Sequence, residues 1–214
     1  MLEVEKAKEK VAFVAKKMAE EGLVVETWGN VSMRTRDSIV ITPSGMDYKR
    51  LNFVDMIVMD FHGNMIEGKW KVSSEYPMHR CIYRNREDVT AIIHTHSTFA
   101  TSFAAARKEM YPVVEDFAQI VGSKIKVAEY ALPGTDELAA SCINFLKENA
   151  AVLLANHGVV AVGNSLEEVL LTCRLIEKNA ETSVYASMLG GPYIIEEKNV
   201  KELRRYYLEQ YGQK

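Results

Sequence analysis

Val4, Ala7, Val11, Val14 and Met18 recur at intervals of three and four, which predicts an amphipathic helix over residues 3–21 with Gly22 as its stop. The period then changes. "SIVITPSG" (38–45) and "MIVMDFHGNMIEG" (56–68) are short apolar runs broken by Pro43-Ser44-Gly45 and by a His-Gly-Asn turn, and they read as strands. A helix is expected from about Glu75 to Arg84, then a buried strand through Ala91, Ile92 and Ile93 ending at His94, then a helix over residues 98–107. "SKIKVAEY" (123–130) reads as a strand, and "GTDELAASCINFLKEN" (134–149) as a helix with Thr135 at its N-cap. "AAVLLANHGVVAVG" (150–163) reads as two strands joined tightly at His157-Gly158. Ser165 and Glu168 form a capping-box pattern that opens a long helix to about Leu189, and a last helix runs from Val200 to the C-terminus. Short turns between the first strands suit an antiparallel sheet flanked by helices, in a single domain over residues 1–214.

Composition narrows the class of protein. The chain of 214 residues is long enough for a large core, and 48% hydrophobic with 26% charged residues is ordinary for a soluble globular protein. A net charge of −3 with no basic cluster argues against a nucleic-acid surface. No apolar run reaches the length of a membrane span, and the start "MLEVEKAKEK" is no signal peptide. Cys81, Cys142 and Cys173 are far apart and sit in helix-like segments, which predicts reduced core thiols in a cytoplasmic protein.

The chemistry concentrates where strands end. In "AIIHTHSTFA" (91–100), His94 and His96 stand two residues apart, so an extended chain projects both imidazoles to one side. His157 in "LLANHGVV" lies where another apolar strand meets a glycine turn. Three imidazoles at strand ends match the three-protein-ligand pattern of a catalytic zinc; surface or hydrogen-bonded histidines are the alternative. His62, in a hairpin turn, and His79, in mid-helix, read as structural. "ETWGNVS" (26–32), "TPSGMDY" (42–48) and "VSSEYP" (72–77) are rich in Ser, Thr, Asn and Gly, the groups that hold a phosphate through hydroxyls and backbone N–H donors. Ser73-Ser74 also precede a helix, so one of them can equally be its N-cap. Glu75 beside them reads as a metal ligand, a base, or an exposed first-turn glutamate.

"TWGNVS", "ITPSGMDY", "SSEYPMHR", "HTHS" and "NHG", in this order and over nearly the whole chain, resemble the class II aldolase/adducin family. The resemblance implies a three-layer α/β/α fold with a central, mainly antiparallel sheet, assembled as a homotetramer with active sites at subunit interfaces. It implies a divalent metal, zinc first with manganese or cobalt as alternatives, on His94, His96 and His157 with Glu75 beside it. A phosphate pocket would fall on Thr27, Gly29, Asn30, Ser44, Gly45, Ser73 and Ser74. The implied activity is a metal-dependent aldolase that cleaves a ketose 1-phosphate, of the L-fuculose 1-phosphate kind, into dihydroxyacetone phosphate and a short aldehyde such as lactaldehyde. Such a metal polarises the C2 carbonyl as a Lewis acid, and Glu75 shuttles the C3 proton. By the same resemblance, Asp116 (from a neighbouring subunit) and Tyr211 handle the proton on the C4 oxygen. A 4-epimerase of L-ribulose 5-phosphate type uses the same bond cleavage and is the alternative, favoured by "TWGNVS" and by Asp116 where aldolases often carry tyrosine. Glu75 and the chain length favour the aldolase. A non-catalytic adducin-like module, which loses metal ligands, fits less well, because all three histidines and Glu75 are present.

Overall fold

The computed structural model of the protein describes residues 2–213. Helix α1 (Leu2–Glu20) carries Glu3 and Glu5 in its first turn and Lys17 in its last, which complements the helix dipole. Four short strands follow: β1 (Asn30–Arg34), β2 (Ile39–Ile41), β3 (Ile57–Met59) and β4 (Met65–Glu67). Then come α2 (Tyr76–Asn85), β5 (Ala91–Thr95), α3 (Thr98–Ala105), α4 (Glu115–Ile120), β6 (Val127–Ala128) and α5 (Asp136–Leu146). Strands β7 (Ala151–Leu154) and β8 (Gly158–Gly163) precede the long α6 (Leu166–Met188) and α7 (Glu197–Gln210).

The eight strands form one sheet in the order β4-β3-β2-β1-β5-β8-β7-β6. Among the described residues every neighbouring pair is antiparallel except β6 with β7. Both faces of the sheet are covered. Ala91 and Ile93 of β5 pack with Val11, Ala100, Phe117 and Leu170 of α1, α3, α4 and α6. Ile92 between them packs on the other side with Ile82 and Leu138 of α2 and α5. Alternation along one strand thus feeds two cores, and burying each such side chain is worth ~1.5–3 kcal/mol. The result is the expected three-layer arrangement around a mainly antiparallel sheet.

Several elements depart from the sequence expectation. Strand β1 was not foreseen: it begins at Asn30 within "TWGNVS" and pairs with β2 on one side and β5 on the other. "SKIKVAEY" shrinks to the two residues of β6, and α4 was not foreseen. The last helix starts at Glu197 rather than Val200. The capping box is half made: Ser165 Oγ accepts from the Glu168 amide, while Glu168 Oε2 accepts from the Asn164 amide instead of that of Ser165.

Three consecutive residues of α6 tie down the chain between β5 and β6. Glu177 accepts the amides of Phe99 and Ala100 at the start of α3, at 2.8 and 2.9 Å. Lys178 pairs with Asp116 at the start of α4. Asn179, fully buried, accepts from the Val113 amide at 3.1 Å and donates to the Tyr111 carbonyl at 3.0 Å. The described residues include no helix long and apolar enough to cross a membrane.

Candidate active site

Register places the chemistry. Asn30 of β1 lies opposite His94 of β5, and His94 lies opposite Val160 of β8. His94 continues the parity of Ile92, so its ring faces the α2 side of the sheet. His96 follows one residue past the end of β5. His157 is the last residue of the three-residue connection between β7 and β8, where Asn156 takes a left-handed φ of 54° and the His157 amide donates to the Leu154 carbonyl. Gly158 is required by space. A Cβ there would stand 2.2 Å from the Thr95 carbonyl oxygen and 3.1 and 3.2 Å from ring atoms of His96 and His94.

The three imidazoles converge on their Nε2 atoms. His94 Nε2 is 2.8 Å from His96 Nε2 and 3.3 Å from His157 Nε2. Glu75, the N-cap residue of α2, places Oε2 3.0 Å from His94 Nε2 and Oε1 3.4 Å from His157 Nε2. His94 Nδ1 donates to the Val159 carbonyl at 2.8 Å, which turns the Nε2 edge inward. Burial works against a charge on Glu75, yet His94 beside it, with His157 and Asn30, holds the carboxyl well below the usual carboxylate range. His94 moves the opposite way: burial disfavours its charge, but Glu75 and the Val159 carbonyl raise its pKa. His96 and His157 stay neutral, pushed down to about 3 and about 4 by burial first and then by the charge of His94.

This arrangement fits a divalent metal. Ligand atoms of His94, His96 and His157 all lie within 4.8 Å of one another. Glu75 Oε1, buried, has no hydrogen-bond partner among the described residues. Neutral imidazoles with an adjoining carboxylate suit a borderline ion such as zinc, and a cation shared among them satisfies the crowded lone pairs.

The remaining predicted residues fall into two groups. Gly29 sits against β5, since a Cβ there would meet the His94 carbonyl at 2.8 Å. The Ser44 and Ser73 segments run side by side through a bridge between Pro43 and Val72, and the Ser44 amide donates to the Lys71 carbonyl. Gly45, at φ 69°, faces open space, and Ser74 and Ser44 are exposed. Ser73 is buried, and its Oγ accepts from the Glu75 amide at 3.3 Å. Thr27 is half-buried in the loop before β1. Asn30, expected at the phosphate, engages protein groups with both ends of its side-chain amide: Nδ2 donates to Glu75 Oε2 at 2.9 Å, and Oδ1 accepts from His79.

Asp116 and Tyr211 bond elsewhere within this chain. Asp116 joins its own Phe117 amide and Lys178, and Tyr211 packs its ring 5.3 Å from Tyr207 at the end of α7. His62 lies in the β3–β4 turn, where its amide is held by Asp60. The sequence reading passed over Trp28, an exposed indole stacked 6.3 Å from the His96 ring. It also passed over Ser32 and Tyr83, whose spacing from Asn30 and His79 was the available signal.

A family model described as the Class II Aldolase and Adducin N-terminal domain matches residues 9–184. The chain is 34% identical over 212 residues to a 5-deoxy-D-ribulose 1-phosphate aldolase of Bacillus thuringiensis serovar kurstaki, covering 98% of this chain and 99% of that protein. An L-fuculose phosphate aldolase of Methanococcus maripaludis is 37% identical over 158 residues, covering 74% of this chain and 85% of the other. A solved L-fuculose 1-phosphate aldolase superposes with a TM-score of 0.91 at 34% identity, over 95% of this chain and 96% of that one. Likeness of this extent, in sequence as well as in fold, is that of common descent, and the chain belongs to the class II aldolase and adducin family.

Proposed function

We propose that this protein is a metal-dependent carbon–carbon lyase that reversibly cleaves a ketose 1-phosphate into dihydroxyacetone phosphate and a short aldehyde. One observation carries the reading: a buried, ionised Glu75 leaves Oε1 unpartnered beside three converging imidazole nitrogens. A divalent ion held by His94, His96 and His157, zinc in our reading, supplies Lewis-acid withdrawal of charge from the substrate carbonyl. The protein's own groups do the rest. The exposed Ser44, Gly45 and Ser74, with Thr27, Gly29 and the Ser73 segment, offer amides and hydroxyls for the phosphate. In the condensation direction Glu75 takes the C3 proton of dihydroxyacetone phosphate, and in cleavage it returns a proton to C3 after the C3–C4 bond has broken. Asp116, from a neighbouring subunit, and Tyr211 take the proton leaving the C4 hydroxyl.

The substrates in the names of the relatives, 5-deoxy-D-ribulose 1-phosphate and L-fuculose phosphate, both end in a methyl group at the aldehyde half. That supports a deoxyketose 1-phosphate here, with Trp28 on the open side of His96 as an apolar wall. Assembly is proposed as a cytoplasmic homotetramer with sites between subunits. The exposed Met188 at the end of α6, with Leu189 and Tyr193 after it, supports burial against another copy. The "TWGNVS" stretch and Asp116 also suit an epimerase of the same chemistry, the second reading.

The test is to incubate the zinc-loaded protein with 5-deoxyribulose 1-phosphate, L-fuculose 1-phosphate and L-ribulose 5-phosphate. Release of dihydroxyacetone phosphate from a 1-phosphate is expected. Conversion of the 5-phosphate to its C4 epimer without release establishes the second reading, and no reaction in any arm removes both. His96→Ala should lose most of its metal by elemental analysis and His62→Ala none.

A further inference from the structure

Behind Glu75 runs a continuous buried chain of side chains. On α2, Glu75, His79 and Tyr83 are spaced by four and share one helix face. On β1, Asn30 and Ser32 are spaced by two and share the face turned to that helix, while Val31 between them enters the opposite core. The two stripes interlock. Asn30 Nδ2 donates to Glu75 Oε2 at 2.9 Å, and His79 Nε2 contacts Asn30 Oδ1. His79 Nδ1 is 2.6 Å from Ser32 Oγ, which is 2.9 Å from the Tyr83 hydroxyl. Asn30, Ser32, Glu75, His79 and Tyr83 are all buried.

Hydrogen-bond chemistry gives this chain one direction. A carboxylate only accepts, so Asn30 must present its NH₂ to Glu75 and its carbonyl to His79. His79 must therefore carry its proton on Nε2, which leaves Nδ1 as the acceptor for the Ser32 hydroxyl. Ser32, having donated, accepts from Tyr83. Asn30, His79 and Ser32 each have one satisfying orientation, and reversing any of them sets two acceptors or two donors face to face in a dry interior, while the Tyr83 hydroxyl also has the Thr90 carbonyl at 3.5 Å. The outcome at the active site is asymmetric: Oε2 of Glu75 is tethered and Oε1 is not.

We propose that His79 is a positioning residue, which through Asn30 locks the Glu75 carboxylate so that Oε1 is the oxygen presented to the substrate's C3 proton. Ser32 and Tyr83 hold His79 in the tautomer that does this. The role in turnover rests on the aldolase reading above; the hydrogen-bond direction does not.

Two measurements test it. The first is the nitrogen NMR signature of His79 in the zinc-loaded protein. The Nε2–H tautomer, with Nδ1 showing the shift of a hydrogen-bonded acceptor, is expected; the Nδ1–H tautomer or an imidazolium overturns the proposal. The second is exchange of the C3 proton of dihydroxyacetone phosphate with deuterated water. His79→Leu, which removes the donor, should lose ~10–100-fold in maximal exchange rate, the usual cost of removing an orienting partner. Its zinc content and half-saturating dihydroxyacetone phosphate should stay within about two-fold of wild type, because phosphate and metal are held by other residues. His79→Gln, whose amide can still donate to Asn30, should recover most of the rate. Should the leucine variant fold poorly, Ser32→Ala is read instead, with a smaller loss in the same direction. A leucine variant exchanging at the wild-type rate, or losing zinc in step with rate, overturns the positioning role. If wild type itself exchanges nothing, the aldolase reading falls and the tautomer measurement alone decides the direction of the chain.

Discussion

Replacing His79 by glutamine measures how much of the protein's acid sensitivity resides in one ring. His79 is fully buried, and its pKa is pushed down from 6.5 to about 3, first by burial and then by the charge of His94. The folded value lies below the unfolded one, so the unfolded chain binds the extra proton as the pH drops below 6.5. The stability that comes from a neutral His79 is therefore complete above that pH and is lost progressively down to about pH 3. At pH 5 the unfolded ring is almost fully protonated and the folded ring almost fully neutral. The free-energy loss between pH 7 and pH 5 is then roughly 2 kcal/mol, from about 1.4 kcal/mol per unit of separation. Glutamine has no proton to take up. Its unfolding free energy should fall by about 2 kcal/mol less than that of wild type over the same interval. Urea unfolding at pH 7, 6 and 5 followed by circular dichroism, with chelator present and protein concentration fixed, gives both slopes. Comparing slopes removes the pH-independent cost of the altered hydrogen bonds. Parallel slopes for the two proteins would refute the argument, because they would mean that His79 is as easily protonated folded as unfolded.

Two further outcomes follow from packing. Gly158→Ala puts a Cβ 2.2 Å from the Thr95 carbonyl and against the rings of His96 and His94, so it should cost ~1–3 kcal/mol and empty the metal site; thermal unfolding and elemental analysis check the two halves, and a metal-replete, undisturbed variant contradicts the geometry. Asn179→Ala strands the Val113 amide and the Tyr111 carbonyl, for a loss of ~2–4 kcal/mol in urea unfolding. Unchanged stability there would mean that water replaces the amide at once.

The parts of the fold legible in the sequence were those whose burial alternates cleanly. Strand β5 and the β7–β8 pair have apolar residues feeding both faces of the sheet, and α1 keeps its helical period throughout. Strand β1 was hidden because its α2-facing positions are Asn30 and Ser32, polar residues buried for the sake of the Glu75 chain, so the usual pattern of apolar-in and polar-out fails there. Helix α4 has six residues and no side-chain cap at Val114, which leaves little for a periodicity argument to find. The histidine cluster was legible because few other roles suit three imidazoles at strand ends. The place of His79 in the Glu75 chain was hidden because a lone histidine in mid-helix carries no signal until its neighbours at intervals of four and the facing pair at an interval of two are considered together. Asp116 and Tyr211 rested on resemblance alone, and within one chain they bond to Lys178 and pack on Tyr207.

The row Glu177-Lys178-Asn179 on α6 makes the length of that helix a constraint on the active site. Each residue anchors a different segment: the α3 start just after His96, the α4 start with Asp116, and the 111–113 stretch between them. An α-helix turns about 100° per residue. One residue inserted ahead of Glu177, even at a remote and exposed position, would rotate all three anchors together away from their segments. Substitutions on the outer face of α6 can drift freely, whereas insertions and deletions in its first half cannot. Changes of substrate in this fold should therefore come through the loops that α6 holds, with the spacing along the helix kept intact.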